Sequence, residues 1–470
     1  MKHVLSILMG CILLHFSMNG QPTPRPLPSP AQLAWHNMEY YLFVHFGPNT
    51  FTDQEWGHGD EIPDNFYPTQ LDCHQWAQTA KDAGAAGIII TAKHHDGFCL
   101  WPSRYSDHTV AESSWKKGNG DVLLELSTAC KRFDLKFGVY LSPWDRNHPK
   151  YGTPEYNDIF CNMLTEIFQN YGPINELWWD GANGEGPNGK KQIYDWERFR
   201  NLVAELSPET VIFSDVGPHV RWVGNEEGIA GKTNWNYLNI KGFSAGAQAP
   251  AQAVLNSGEE DGAHWIPAEC DVSIRPGWFY HQQQDTLVKS GAKLFELYLK
   301  SVGRGANLLL NVPPDRRGFF AKPDSISLMD FKNLLDENFN KNLLKGLIAS
   351  SKTRKTTVLT DGNADNAFLY KGKKDAFLKI SLKQATQINT IVLQECIRLG
   401  QTVKKFEVTL ETGNGTTVQT VSGTTIGRKR ILTFPTTLVS SITIKIKETT
   451  GNVNLSEIGA YKISDNLIEK

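Results

Sequence analysis

Leu177-Trp178-Trp179-Asp180-Gly181 is a short apolar run that ends in two tryptophans, a carboxylate and a glycine. Glu176 to Trp179 suffices for one short strand, and a glycine after the aspartate marks the turn that follows. If this strand belongs to a β/α barrel, its carboxyl end lies on the face where such folds gather their polar groups. Two indoles beside one carboxyl group put an apolar, ring-shaped surface next to a group able to attack or protonate. Asp180 is therefore a candidate catalytic carboxylate, and at most one of the two tryptophans, which alternate sides on a strand, lines the same pocket.

The surrounding sequence supplies the rest of such a barrel. Strands are expected at Tyr41–Phe46, Gly87–Ala92, Phe137–Leu141, Glu176–Trp179, Thr210–Ser214, His264–Cys270 and Asn307–Val312, with amphipathic helices between them. One helix spans Asp121 to Phe133, with Val122, Leu126, Ala129, Cys130 and Phe133 on one face. Another starts at Thr153-Pro154, read as an N-cap followed by Pro at the first helical position, with Tyr156, Ile159, Phe160, Met163, Leu164, Ile167 and Phe168 on its inner face. Strands alternating with helices argue for a parallel sheet, and their number over residues 21–345 favours a closed (β/α)8-like TIM barrel, although seven strands are legible.

After residue 345 the pattern changes. Gly, Thr, Lys and Val dominate, and Ser440-Ser441-Ile442-Thr443-Ile444-Lys445-Ile446-Lys447 alternates with period two. Further short runs at Ala376–Leu382, Ile388–Leu393, Lys405–Glu411, Arg430–Phe434 and Gly459–Ile463 predict an all-β C-terminal β-sandwich over 346–470. All thirteen tryptophans lie between Trp35 and Trp278, so the sandwich lacks the indole platform common in sugar-binding modules.

The first residues read as a targeting segment. Met1-Lys2-His3 is basic, Val4 to Met18 is apolar, and Asn19-Gly20-Gln21 leads into Pro-rich sequence, the pattern of a secretory signal peptide over residues 1–20. Leu8-Met9-Gly10-Cys11 also resembles a lipoprotein cleavage site, but with a very short apolar run before it. The expectation is an exported, periplasmic or secreted protein with no membrane span. A formal net charge of −2 over 470 residues gives no reason to expect a nucleic-acid or anionic-membrane partner. Outside the signal, Cys73, Cys99, Cys130, Cys161, Cys270 and Cys396 are widely spaced, without the paired CxxC of a zinc site, and fall on apolar faces, so buried free thiols are expected.

Polar and aromatic residues cluster just after the apolar runs. They include Val44-His45-Phe46-Gly47, Glu55-Trp56-Gly57, Lys93-His94-His95-Asp96-Gly97-Phe98, Tyr140-Leu141-Ser142-Pro143-Trp144 and Trp178-Trp179-Asp180-Gly181. The loop after the fifth strand holds Arg221-Trp222-Val223-Gly224-Asn225-Glu226-Glu227-Gly228, and a later one Arg275-Pro276-Gly277-Trp278. On a barrel all of these open on one face, where rings and hydrogen-bonding groups suit a small neutral sugar. Neither a phosphate-cradling Gly-rich loop nor a nucleophilic serine motif is present, so no cofactor is expected. His94-His95 is no obvious metal pair, because neighbours on a regular strand point to opposite faces and no HExxH spacing occurs. Glycoside hydrolysis needs two carboxyl groups. Asp180 is one; Glu226, Glu227, Glu259, Glu260, Glu269 and Asp271 are the candidates for the other.

Taken in order, these motifs resemble the α-L-fucosidases of glycoside hydrolase family 29 over roughly residues 32–345, and the C-terminal strands resemble, more loosely, the family's β-sandwich. The resemblance implies a retaining exo-α-L-fucosidase with Asp180 as nucleophile. Gly224-Asn225-Glu226 resembles the subgroup that cleaves α-1,3/1,4-linked fucose, which implies Glu226 as acid/base, with Glu227 its rival. His45, Glu55, Trp56, His94, His95, Tyr140, Trp222 and Trp278 fall on positions of the family's fucose pocket. A fucosylated oligosaccharide or glycoconjugate is the implied substrate. Two alternatives remain open at this point: a retaining glycosidase for another sugar, and a non-catalytic glycan-binding protein.

Overall fold

The structure is a computed structural model that describes residues 25–246, 248–372 and 376–468. The signal peptide, its cleavage after Gly20 and the alternative at Cys11 lie outside the described residues. Eight parallel strands close into a barrel: β1 (Tyr40–Val44), β2 (Gly87–Lys93), β3 (Lys136–Leu141), β4 (Glu176–Trp178), β5 (Val211–Ser214), β6 (Val220–Trp222), β7 (Ala268–Ser273) and β8 (Asn307–Asn311). β1 pairs with both β2 and β8, which completes the ring.

β6 is the strand missing from the sequence reading, which has Arg221 and Trp222 in a loop. It is three residues long, and five residues link it to its parallel neighbour β5, with Phe213 in register with Val220. Parallel neighbours are normally joined by a helix of a dozen residues or more, and here there is none to signal the crossover. The predicted strand His264–Cys270 is two elements: His264–Trp265 pairs antiparallel with Tyr237–Leu238, and the barrel strand starts at Ala268.

The helices follow from their apolar spacing. Val122–Arg132 is capped by Asp121, whose side chain accepts from Leu124 N at 2.9 Å, and it buries Val122, Leu123, Leu126, Ala129 and Cys130. The next helix starts one residue later than its sequence suggests, at Glu155; Pro154 occupies the cap position without a side-chain hydrogen bond. The face it buries includes Tyr156, Phe160, Met163, Leu164 and Ile167, packed on the outside of the barrel.

Strand parity sorts the two tryptophans. Trp178 points into the barrel, against Tyr140, Phe213 and Phe43. Trp179 points out, fully buried beside Trp196 and Phe199 of the helix Trp196–Leu206.

The last barrel helix ends at Phe339, and the first strand of the C-terminal domain begins at Ala349. That domain is one hydrogen-bonded antiparallel sheet of eight strands. Two of them are twenty residues long, Ala376–Glu395 and Arg430–Thr449, each absorbing two of the predicted short runs. Register shifts between Ser381 and Thr386 and between Ile388 and Thr390 interrupt the pairing of these two strands, and residues from both halves of each enter one aliphatic core. Thr417–Gly423, an exposed hairpin partner of Val403–Glu411, is a strand that the sequence reading lacks. The six cysteines outside the signal are free and buried. Among the described residues no helix is long and apolar enough to cross a membrane.

Candidate active site

The carboxyl ends of the barrel strands form one mouth, and the residues that end β1 to β4 meet there. Asp180 follows β4 by two residues and keeps 26% of its side chain exposed. Its Oδ1 accepts from Ala182 N at 2.7 Å, which fixes the carboxylate plane. Its Oδ2 accepts from the Tyr140 hydroxyl at 3.1 Å and lies 3.6 Å from His95 Nε2. Burial, then the charge of Asp180, raises the Tyr140 phenol well above its usual range, so it stays a donor.

Three imidazoles line the same mouth, all held neutral by burial; His45 is pushed down to about 3. Asn311 Oδ1 faces His45 Nδ1 at 2.9 Å, while Asn311 Nδ2 donates to Ser273 Oγ and the Trp278 carbonyl. His45 therefore donates from Nδ1 and offers Nε2 as an acceptor. His95 follows the same logic: Ser142 Oγ donates to Trp144 O, so His95 Nδ1 donates to Ser142 Oγ at 2.8 Å. Its Nε2 is then an acceptor beside Asp180, and a sugar hydroxyl could donate into that gap.

His94 and His95 do not point to opposite faces. β2 has ended at Lys93 after a register shift, and the two rings lie 4.2 Å apart, His94 near His45 and Tyr140, His95 near Trp56 and Trp144. Trp56 is 52% exposed and forms a rim.

Glu226 stands on the far side of the mouth, exposed, with Oε2 accepting from Trp278 Nε1 at 3.2 Å. Trp278 in turn packs on His45 at 5.1 Å. A continuous run of contacts thus links the two candidate carboxylates, from Asp180 through Tyr140 and His45 to Trp278 and Glu226. The Glu227 side chain is exposed, and its amide donates to Asn225 Oδ1 at 3.1 Å.

Other acidic candidates are placed elsewhere. Glu269 lies deep in the barrel, where Trp178 Nε1 donates to it at 2.8 Å and the Tyr41 hydroxyl also donates. Glu259 accepts from Asn239 N, and Glu260 pairs with Lys404 of the sandwich at 2.8 Å. Glu55 directs its carboxylate at the loop carrying Trp278: it accepts from Trp278 N at 2.7 Å and Phe279 N at 3.4 Å, and meets His281 Nε2 at 2.6 Å. A Cβ at Gly277 would lie 2.2 Å from Glu55 Oε1, so a larger residue there would push the carboxylate off the loop.

Two more acidic residues lie at the mouth: Asp215, which the sequence reading lacks, and Asp271, one of its candidates for the second carboxyl group. Asp215 follows β5 much as Asp180 follows β4, and a Cβ on Gly181 would fall 2.7 Å from its Oδ2. Burial first, with the charge of Asp180 adding to it, raises Asp215 to about 6. The signal for it was available: it too is a carboxylate at the end of an apolar run. Asp271 points inward from β7 and accepts from Trp222 Nε1 at 2.9 Å. It sits at the same parity as Glu269, which period two alone indicates once the strand's bounds are known.

A closed β/α barrel whose mouth sets Asp180 opposite Glu226 among neutral rings and hydroxyl-binding groups has the architecture of a glycoside hydrolase. The family model described as Alpha-L-fucosidase matches residues 11–339. Alpha-L-fucosidase 1 of Arabidopsis thaliana is 41% identical over 448 residues, covering 93% of this chain and 87% of that protein. The crystal structure of SpGH29 superimposes with a TM-score of 0.88 at 37% identity, covering 94% of this chain and 99% of the other. A Ruminococcus gnavus family 29 fucosidase in complex with fucose gives 0.86 at 31% identity, covering 96% and 98%. The chain belongs to the α-L-fucosidase family of glycoside hydrolases and is an α-L-fucosidase.

Proposed function

We propose that the protein is an exported, periplasmic or secreted enzyme that removes terminal α-1,3/1,4-linked L-fucose from glycans with retention of configuration. Asp180 attacks the anomeric carbon to form a covalent fucosyl-enzyme while Glu226 gives a proton to the leaving oxygen. Glu226, then a carboxylate, takes a proton from the water that releases fucose. The observation that supports this most is the placement of Asp180: a partly open carboxylate, oriented by Ala182 N and Tyr140, faces the mouth across from Glu226. The linkage preference rests on the likeness of Gly224-Asn225-Glu226 to the corresponding subgroup, and export rests on residues 1–20.

His45, His94, His95 and Tyr140 supply hydrogen bonds to the sugar hydroxyls in this reading, and Trp56, Trp222 and Trp278 cover its C–H faces. Glu55 acts through the loop it holds. In a fucose complex the two carboxyl groups should stand about 5–5.5 Å apart. The test is chemical rescue. Glu226→Ala with azide should yield the α-fucosyl azide, since azide displaces Asp180 from the β-linked fucosyl-enzyme; rescue of Glu227→Ala in place of Glu226→Ala would move the acid/base by one residue. An NMR time course showing β-fucose as the first product would end the retaining reading.

A further inference from the structure

Asp271 is a carboxyl group that the proposed chemistry leaves unused. It projects from β7 into the barrel, flanked on that strand by the inward-facing Glu269 below and Ser273 above, while Cys270 and Val272 face outward into the packing around the barrel. Trp222 of the neighbouring β6 donates its indole N–H to Oδ1 at 2.9 Å. Among the described residues no side-chain donor reaches Oδ2. Asp271 keeps 4% of its surface open, and for an inward-facing barrel residue near the strand ends that opening is the mouth.

Its charged neighbours all have the same sign. Glu226 faces it from the loop after β6 and Glu269 from its own strand. Arg275, four residues on, is paired with Asp324 and Asp285, and Arg221 on the neighbouring β6 is turned to the outside, where its guanidinium meets the carbonyls of Leu255, Ile266 and Trp235 and the side chain of Asn234. A buried carboxylate without a counter-ion, beside other carboxylates, keeps its proton. Burial first, then Glu226 and Glu269, push Asp271 well above the usual carboxylate range.

We infer that Asp271 works as a neutral carboxylic acid whose Oδ2–H donates a hydrogen bond to the sugar seated in the mouth, while Oδ1 holds the Trp222 indole in place. A carboxyl group kept neutral in this way is a donor that no carboxylate can replace, and an asparagine can stand in for it with its NH2. The inference rests on the pocket proposed above.

The test measures L-fucose affinity, as competitive inhibition and by calorimetry, in the wild type, Asp271→Asn, Asp271→Ala and His45→Ala, with folding checked by circular dichroism. Asp271→Ala should weaken binding by on the order of tenfold or more, and Asp271→Asn by less than about threefold. Raising the pH from about 6 to 9 should weaken binding to the wild type more than to Asp271→Asn, because only the wild type can exchange its donor for a charge. Equal losses in Asp271→Asn and Asp271→Ala would show a carboxylate acceptor and overturn the inference. Tight binding by Asp271→Ala alongside a loss in His45→Ala would overturn it too, with the pocket intact. Tight binding by both Asp271→Ala and His45→Ala would remove the pocket reading itself.

Discussion

The interior of the barrel and the interior of the C-terminal sandwich solve the same packing problem with different chemistry. The sandwich core is mostly Leu, Ile, Val and Phe; its most buried ionisable side chain, Glu395, is satisfied by the amides of Thr402, Val403 and Gly427, and Arg430 and Glu457 are buried at its edges. The barrel interior buries Glu176, Glu269 and Asp271 among Trp35, Tyr41, Tyr140 and Trp178, and Lys93, Asp96 and Asp145 around its rim. Apolar packing alone would hold a barrel together; buried polar groups each cost desolvation unless paired. The sandwich therefore looks like structure built for stability, and the barrel like structure that gives up stability for a site. The sandwich also reaches the site indirectly. Asn234 and Asn236, in the same β6–β7 connection as Glu226, bond to Thr425 and Gln401.

The strongest attack on this comparison is at Asp180. Asp180→Asn should lower turnover by on the order of a thousandfold or more while the thermal midpoint stays close to wild type, measured by aryl-fucoside hydrolysis and calorimetry. A midpoint drop comparable to a core mutation would mean that the group is structural.

The converse experiment belongs in the sandwich. Ile444→Ala, in the centre of that core, should cost about 2–5 kcal/mol by denaturant titration and leave the specific activity of folded protein unchanged. Lost activity at full folding would show that the sandwich shapes the mouth.

Asp96 tests the cost of the barrel's buried acids. Burial, and then the charges of Glu61 and Asp145, raise it to about 7, against the lowering by its bond from Phe98 N and by Lys93. The folded state thus holds this proton where the unfolded chain has released it. Its unfavourable contribution should grow as the pH rises from about 4 to about 7 and stay level above that. Asp96→Asn should flatten that part of the stability curve by up to a few kcal/mol; an unchanged slope would place the proton elsewhere.

The smallest effect is expected at the seam. Lys404 pairs with Glu260 across the two domains, but both are partly exposed. Lys404→Ala should change stability by less than about 1 kcal/mol. A larger loss would make the seam a working part of the molecule.

Most of the barrel was legible because its strands are continuous apolar runs separated by helices with 3.6-residue spacing. β6 was not, because three residues after a five-residue link carry no periodicity. In the sandwich, adjacent runs merged across register shifts into long strands, which no local pattern reports. The site divides along the same line. Asp180, His45, His94, His95 and Tyr140 are readable as polar groups at or just past strand ends, and the structure brings them to one mouth.

What the sequence determined by itself is which residues stand at the carboxyl edge, because that follows from where each apolar run stops. Closure of the barrel decided the rest. It set Trp178 inside and Trp179 outside, sent Glu269 to the floor and left Asp271 near the rim, and turned Glu55 onto the Trp278 loop. Strand parity and register are pairwise properties of neighbours far apart in the chain, so the depth and direction of a side chain exist only once those strands are paired.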